Sequence, residues 1–163
     1  MDPKNIPVII GTAQLVDREA DVDRHIEPLD MLERVAREAV ADAGVSSALL
    51  SALDTVALVG IAGWHPQNAP NLLAGRLGAN PVREYTTGIG GKIGVTLLNR
   101  VAQEIVDGKA DTALIAGCNN LRVLLRARAS GQQLAWMRGG EGSAQMVGTD
   151  DPGNTPLEAS YGM

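Results

Sequence analysis

Phenylalanine is absent from all 163 residues and only two Trp and two Tyr are present, so a core must be built from Val, Ile, Leu and Ala. Aliphatic and β-branched strands covered by Ala-rich helices suit a parallel sheet buried on both faces. Cysteine is reduced to Cys118, which excludes an internal disulfide, and His25 and His65 are too few and too far apart in sequence to suggest a metal site. No apolar run approaches the roughly 20 residues of a membrane helix. The opening Met1-Asp-Pro-Lys-Asn5 lacks the charged-then-apolar layout of a signal peptide. These absences lead us to expect a cytoplasmic protein of a reducing compartment, with no membrane span and no bound metal. A basic face is also missing: 14 Lys and Arg against 19 Asp and Glu give a formal charge of −5, which argues against a nucleic-acid partner. The short cluster Arg122, Arg126 and Arg128 reads as a solvated helix face.

What is present alternates. Val8-Ile-Ile-Gly-Thr-Ala-Gln14 follows Pro7 and reads as a buried first strand. From Pro28 the period becomes helical, with Leu29, Leu32, Val35, Ala36, Ala39, Val40 and Ala43 on one face, Pro28 in the first turn and Gly44 as the stop. Residues 54–61 form a second strand, followed by a loop with Trp64, His65 and Pro66. Residues 71–77 form a short helix before Gly78, and residues 82–87 a third strand. After Gly88-Ile-Gly-Gly91 a strongly apolar helix runs over 91–107 and stops at Gly108, and 112–117 forms a fourth strand. This alternation predicts an α/β fold with a mostly parallel sheet covered by helices, joined by right-handed crossovers. A further helix is expected over 121–129. The domain reading is one α/β unit over residues 1–130 and a Gly-rich, irregular extension over 131–163 that reaches out rather than packing in.

The segment Thr87-Gly-Ile-Gly-Gly-Lys-Ile-Gly94 places glycines between a strand and the start of a helix, where free amides and the helix dipole can hold a phosphate or an oxyanion. Three readings of it stay open. Gly88, Gly90 and Gly94 spell a loose dinucleotide motif, but after the third strand rather than the first, and with no acid at the end of the next strand. The glycines could simply let the helix pack close to the sheet.

The third reading is a family resemblance. The run from Gly91 to Gly117 resembles the hallmark segment of the thiolase superfamily, in which a nucleophilic cysteine opens a buried helix, the helix ends at Gly before Ala-Asp, and an apolar strand follows. Counting back from Gly108, the cysteine's place falls on Gly91. The opening Gly-Thr-Ala-Gln, the Pro28 helix and the Leu77-Gly-Ala79 helix end agree in order, so the resemblance covers residues 6 to about 130. It is similar to the acetyl-CoA acetyltransferase-like branch, where Gly-Gly commonly replaces the cysteine.

The resemblance implies a thiolase-like N-terminal half and an acyl-CoA setting in lipid metabolism, with a CoA thioester as substrate and no tightly bound cofactor. Without a side chain at Gly91 there is nothing to acylate, so Cys-dependent thiolase chemistry is not expected. The amides around Gly90, Gly91 and Lys92 are then the oxyanion or ligand-binding candidates, suited to decarboxylation or retro-aldol chemistry on a CoA ester. Cys118 and His65 are the remaining catalytic candidates. Each also has a plain reading, Cys118 as a small buried hydrophobe and His65 as a structural loop residue. The family doubles this unit and dimerises beside its third strand, so a lone half should leave its inner helix partly uncovered. We therefore expect a homo-oligomer or a complementary thiolase-like subunit, and the alternative function is a non-catalytic partner or scaffold in a thiolase-like complex.

Overall fold

The computed structural model describes residues 5–148 together with Leu157, Ser160 and Tyr161. The expectations resting on Met1–Lys4 and on residues 149–156, 158–159 and 162–163 of the extension lie outside the described residues. The described chain runs α1 (Pro28–Asp42), α2 (Ala48–Ser51), β1 (Thr55–Leu58), α3 (Ala69–Leu77), β2 (Arg83–Thr87), α4 (Ile93–Val106), β3 (Ala113–Ala116), α5 (Leu121–Ser130) and β4 (Gln145–Val147). The strands form one sheet in the order β3-β1-β2-β4, every neighbouring pair parallel.

Alternation along β1 divides the core. Val56 and Leu58 face one side, where they meet Leu29, Leu32, Ala36 and Val40 of α1, Leu73 of α3 and Val123 of α5. Ala57 faces the other side and meets Tyr85, with Leu97 and Val101 of α4. All four β1 residues are buried, which accounts for the continuous apolar character of the central strand. Local signals fix the helix ends: Pro28 enters α1 at its first turn, Asn68 caps α3 by accepting the Asn71 N–H at 3.2 Å, and Gly78 closes α3 in the left-handed conformation.

Two expectations are corrected. Residues 8–14 form no strand. Val8 and Ile9 are 71% exposed, and the segment pairs with no strand among the described residues. It is held instead along α1, where the Thr12 N–H donates to Asp42 Oδ2 at 2.9 Å.

Within the described residues, the Gly-rich stretch 131–148 does not reach out. Trp136 is buried, Leu134 packs on the core, and β4 joins the sheet by pairing with β2 from Tyr85↔Gln145 to Thr87↔Val147. Asn68 and Asn71 clasp the intervening loop. Asn68 Nδ2 donates to the Glu141 carbonyl at 2.7 Å, and the Glu141 N–H donates to Asn71 Oδ1 at 2.9 Å. Sparse apolar content hid this packing because it depends on one tryptophan and on backbone bonds.

Helix α4 is covered on one side only, in keeping with the expectation that its inner face be left partly uncovered. Leu97, Val101 and Glu104 are buried, while Val95 and Leu98 are 61% and 40% exposed. Its buried acid is held by the Tyr85 hydroxyl, which donates to Glu104 Oε1 at 2.5 Å, and by Arg100 Nε at 2.9 Å. Burial and the Glu104 carboxylate beside it push the Tyr85 phenol above its ordinary value.

Candidate functional site

The C-terminal ends of β1 and β2 open on one crevice, flanked by the residues leading into and within β4, at the position where parallel α/β sheets bind ligands. A cavity of about 480 Å³ lies there, walled by Ile61 and Trp64 after β1, Gly88 and Ile89 after β2, and Ser143 and Met146 around β4. Its floor is a tight junction between two strand exits. The buried Thr87 hydroxyl accepts the Gly60 N–H at 3.1 Å and donates to the Gly88 carbonyl at 2.9 Å. A Cβ on Gly60 would run into the Thr87 carbonyl oxygen and come within 2.7 Å of the Gly88 oxygen, so glycine is required there.

Beyond Gly88 the chain turns into α4 over Gly90, Gly91 and Lys92. All three are exposed and none lines the cavity, whose edge stops at Ile89. The Ile93 N–H donates to the Gly90 carbonyl at 3.3 Å, and no side chain caps the helix start at Lys92. The close-packing reading of these glycines holds only in part. A Cβ on Gly90 would meet Ile93 Cδ1 at 3.1 Å, whereas Gly91 and Gly94 have nothing within 4 Å. Position 91 therefore has open space in front of it, and its missing side chain answers no steric demand of the fold.

The other two candidates separate. His65 lies in the cavity wall, exposed and with no hydrogen-bond partner among the described residues. Cys118 is absent from the wall. It packs against the α1 side of the core, where burial pushes its thiol up to about 12, and its Sγ lies 4.0 Å from the Pro28 carbonyl oxygen. That environment suits a small hydrophobe, not a thiolate nucleophile. Of the arginine cluster, Arg126 pairs with Asp21 at 2.8 Å and Arg122 donates to the Arg18 carbonyl at 3.0 Å.

Sequence reading missed Gly60, Thr87 and the Ser143–Met146 wall. A glycine inside the apolar run 54–61 was the visible signal for Gly60; nothing in the sequence marked β4 as a wall of the crevice. Among the described residues no group of three or more His, Cys, Asp or Glu could hold a metal ion, and no helix is long and apolar enough to cross a membrane.

No family model and no curated protein sequence matches the chain. Among solved structures it is similar to a monomeric SCP2-thiolase-like protein type 1 from Mycobacterium smegmatis, at 27% identity and a TM-score of 0.59 over 70% of this chain. The match spans 23% of that protein's length. The fold is thus that of a thiolase-like half: a parallel sheet with helices on both faces, closed on one edge by β4.

Proposed function

We infer that the chain is the N-terminal portion of a thiolase-superfamily, acetyl-CoA acetyltransferase-like protein that handles acyl-CoA without a cysteine acyl-enzyme. One observation carries the reading. The turn that the resemblance assigns to the nucleophile is formed at the C-terminal edge of the sheet, with Gly91 in open space ahead of an uncapped helix start. In that geometry the turn can offer amides and the exposed Lys92 ammonium to a thioester oxygen or a phosphate, and it offers no thiol. The cavity beside it has an apolar and aromatic wall suited to a short acyl chain, with His65 as the titratable group at its mouth. Because the solved relative is several times longer than the match, the complete site would draw further walls from outside these residues.

Titration calorimetry with acetyl-CoA tests this reading. Binding is expected with a Kd on the order of micromolar and to weaken about tenfold in Lys92→Ala; absence of heat up to about millimolar ligand would overturn it.

A second reading, the non-catalytic partner subunit, is favoured by the exposed Val95 and Leu98 on α4 together with Val8 and Ile9. Under it, a complementary thiolase-like subunit covers α4. Self-association beside β2 is less suited, because β4 already occupies that edge.

A further inference from the structure

The geometry points to a pH-sensitive latch, His25 on Trp136, that holds residues 131–147 against the sheet and so sets the far wall of the cavity. His25 Nδ1 lies 3.1 Å from the Asp21 carbonyl oxygen and 3.0 Å from that of Val22. Both partners only accept, so this nitrogen carries the proton. Its Nε2 lies 2.9 Å from Nε1 of Trp136, an indole nitrogen that only donates. Nε2 must therefore present a lone pair, which fixes the latched ring as neutral, with its proton on Nδ1. A second proton would set two N–H groups against each other at 2.9 Å, while Nδ1 keeps its carbonyls and anchors the ring. Protonation thus acts at the Trp136 end alone.

The latch reaches the cavity through contiguous bonds. Next to the buried Trp136, the Met137 carbonyl accepts the Trp64 indole N–H at 2.7 Å and the Met137 N–H donates to Glu27 Oε2 at 2.9 Å. The Gly139 carbonyl accepts the Asn68 N–H at 2.9 Å, and four residues further on Ser143 enters the wall, followed by Met146 within β4. Freeing Trp136 therefore removes one anchor of the segment that closes the crevice from one side, while the Asn68–Asn71 clasp and the β4 ladder remain.

The charged groups on the segments around His25 are Asp17, Arg18, Glu19, Asp21, Asp23, Arg24 and Glu27 on its own loop, Arg122, Arg126 and Arg128 of α5, and Arg138 and Glu141 of the held segment. Asp21 is kept below the usual carboxylate range, first by the Val22 amide and then by Arg126, so it stays ionised where histidine titrates. Arg24 pairs with Glu19, and Asp23 accepts from Gln132 Nε2 at 3.2 Å. The sign follows from the neutral ring. The latch is closed while the ring is neutral and is lost when low pH adds the second proton.

The two tryptophans give two indole N–H signals, and Trp136→Phe assigns them. Between about pH 8 and about pH 5 the Trp136 indole proton should lose protection, corrected for intrinsic exchange, by about tenfold or more. His65→Gln should keep that response, and His25→Gln, which cannot gain a charge, should abolish it. An unchanged Trp136 signal in the wild type, or the same loss in His25→Gln, overturns the latch. Imidazole nitrogen shifts of the wild type decide independently of any variant: the Nδ1–H tautomer is expected at high pH, and a dominant Nε2–H tautomer refutes it.

Discussion

Glycine carries opposite meanings at two positions around this crevice. Gly60 has no room for a side chain because two strand exits meet at its Cα, with the Gly88 oxygen 2.7 Å from where a Cβ would be. Gly91 has nothing within 4 Å. Replacing Gly60 with Ala should cost about 1–3 kcal/mol, because the backbone it meets cannot rotate away, while Gly91→Ala should stay within about 0.5 kcal/mol. Urea midpoints of the two variants check this, and equal losses would contradict the contrast. Both glycines are visible in the sequence, yet spacing along a chain cannot reveal which one faces a carbonyl and which faces space. The same limit applies to Cys118, whose apolar surroundings were legible from its strand, and to His65, whose place in the cavity wall was not.

At the scale of elements, a helix expresses only the contacts its neighbours supply. The apolar pattern over 91–107 correctly marked a helix, but the sheet covers one stripe of it, through Leu97 and Val101. Leu97→Ala should cost about 2–5 kcal/mol, as for a core truncation. Leu98→Glu, one residue on and 40% exposed, should change stability by no more than about 0.5 kcal/mol. Denaturant unfolding of the pair measures this, and a large loss in Leu98→Glu would mean that the outer face is packed in the isolated chain. The segment 8–14 fails as a strand for a related reason. Its β-branched residues satisfy strand propensity, but a strand needs a ladder partner, and propensity carries no information on whether one is present. Strands β1, β2 and β3 and helices α1, α3 and α5 were legible because each combines a clear period with Gly, Pro or Asn at its ends.

For the whole molecule, the parallel sheet and its helix layers follow from the strand–helix alternation, and similarity to the thiolase-like structure supports the same arrangement. The placement of residues 131–148 does not follow. One buried tryptophan, an asparagine clasp and a three-residue strand draw that stretch onto the β2 edge, and none of these leaves a periodic trace. The exposed apolar side chains along α4 and residues 8–10 belong to this scale as well. They form surface that a further layer could cover, in keeping with a match that spans 23% of its solved relative.

The acyl-CoA reading depends on the turn at residue 91 being aimed as a nucleophile's turn would be. Gly91→Cys incubated with acetyl-CoA, followed by peptide mass spectrometry, tests that aim, with Asn99→Cys as an exposed control within α4. The introduced thiol at 91 should take the acetyl group at least about tenfold faster than the control, since only the helix start favours the thiolate, and the partly buried Cys118, its thiol pushed up to about 12, should remain unmodified. Equal acetylation of the two introduced thiols, or none at position 91, would contradict the assignment.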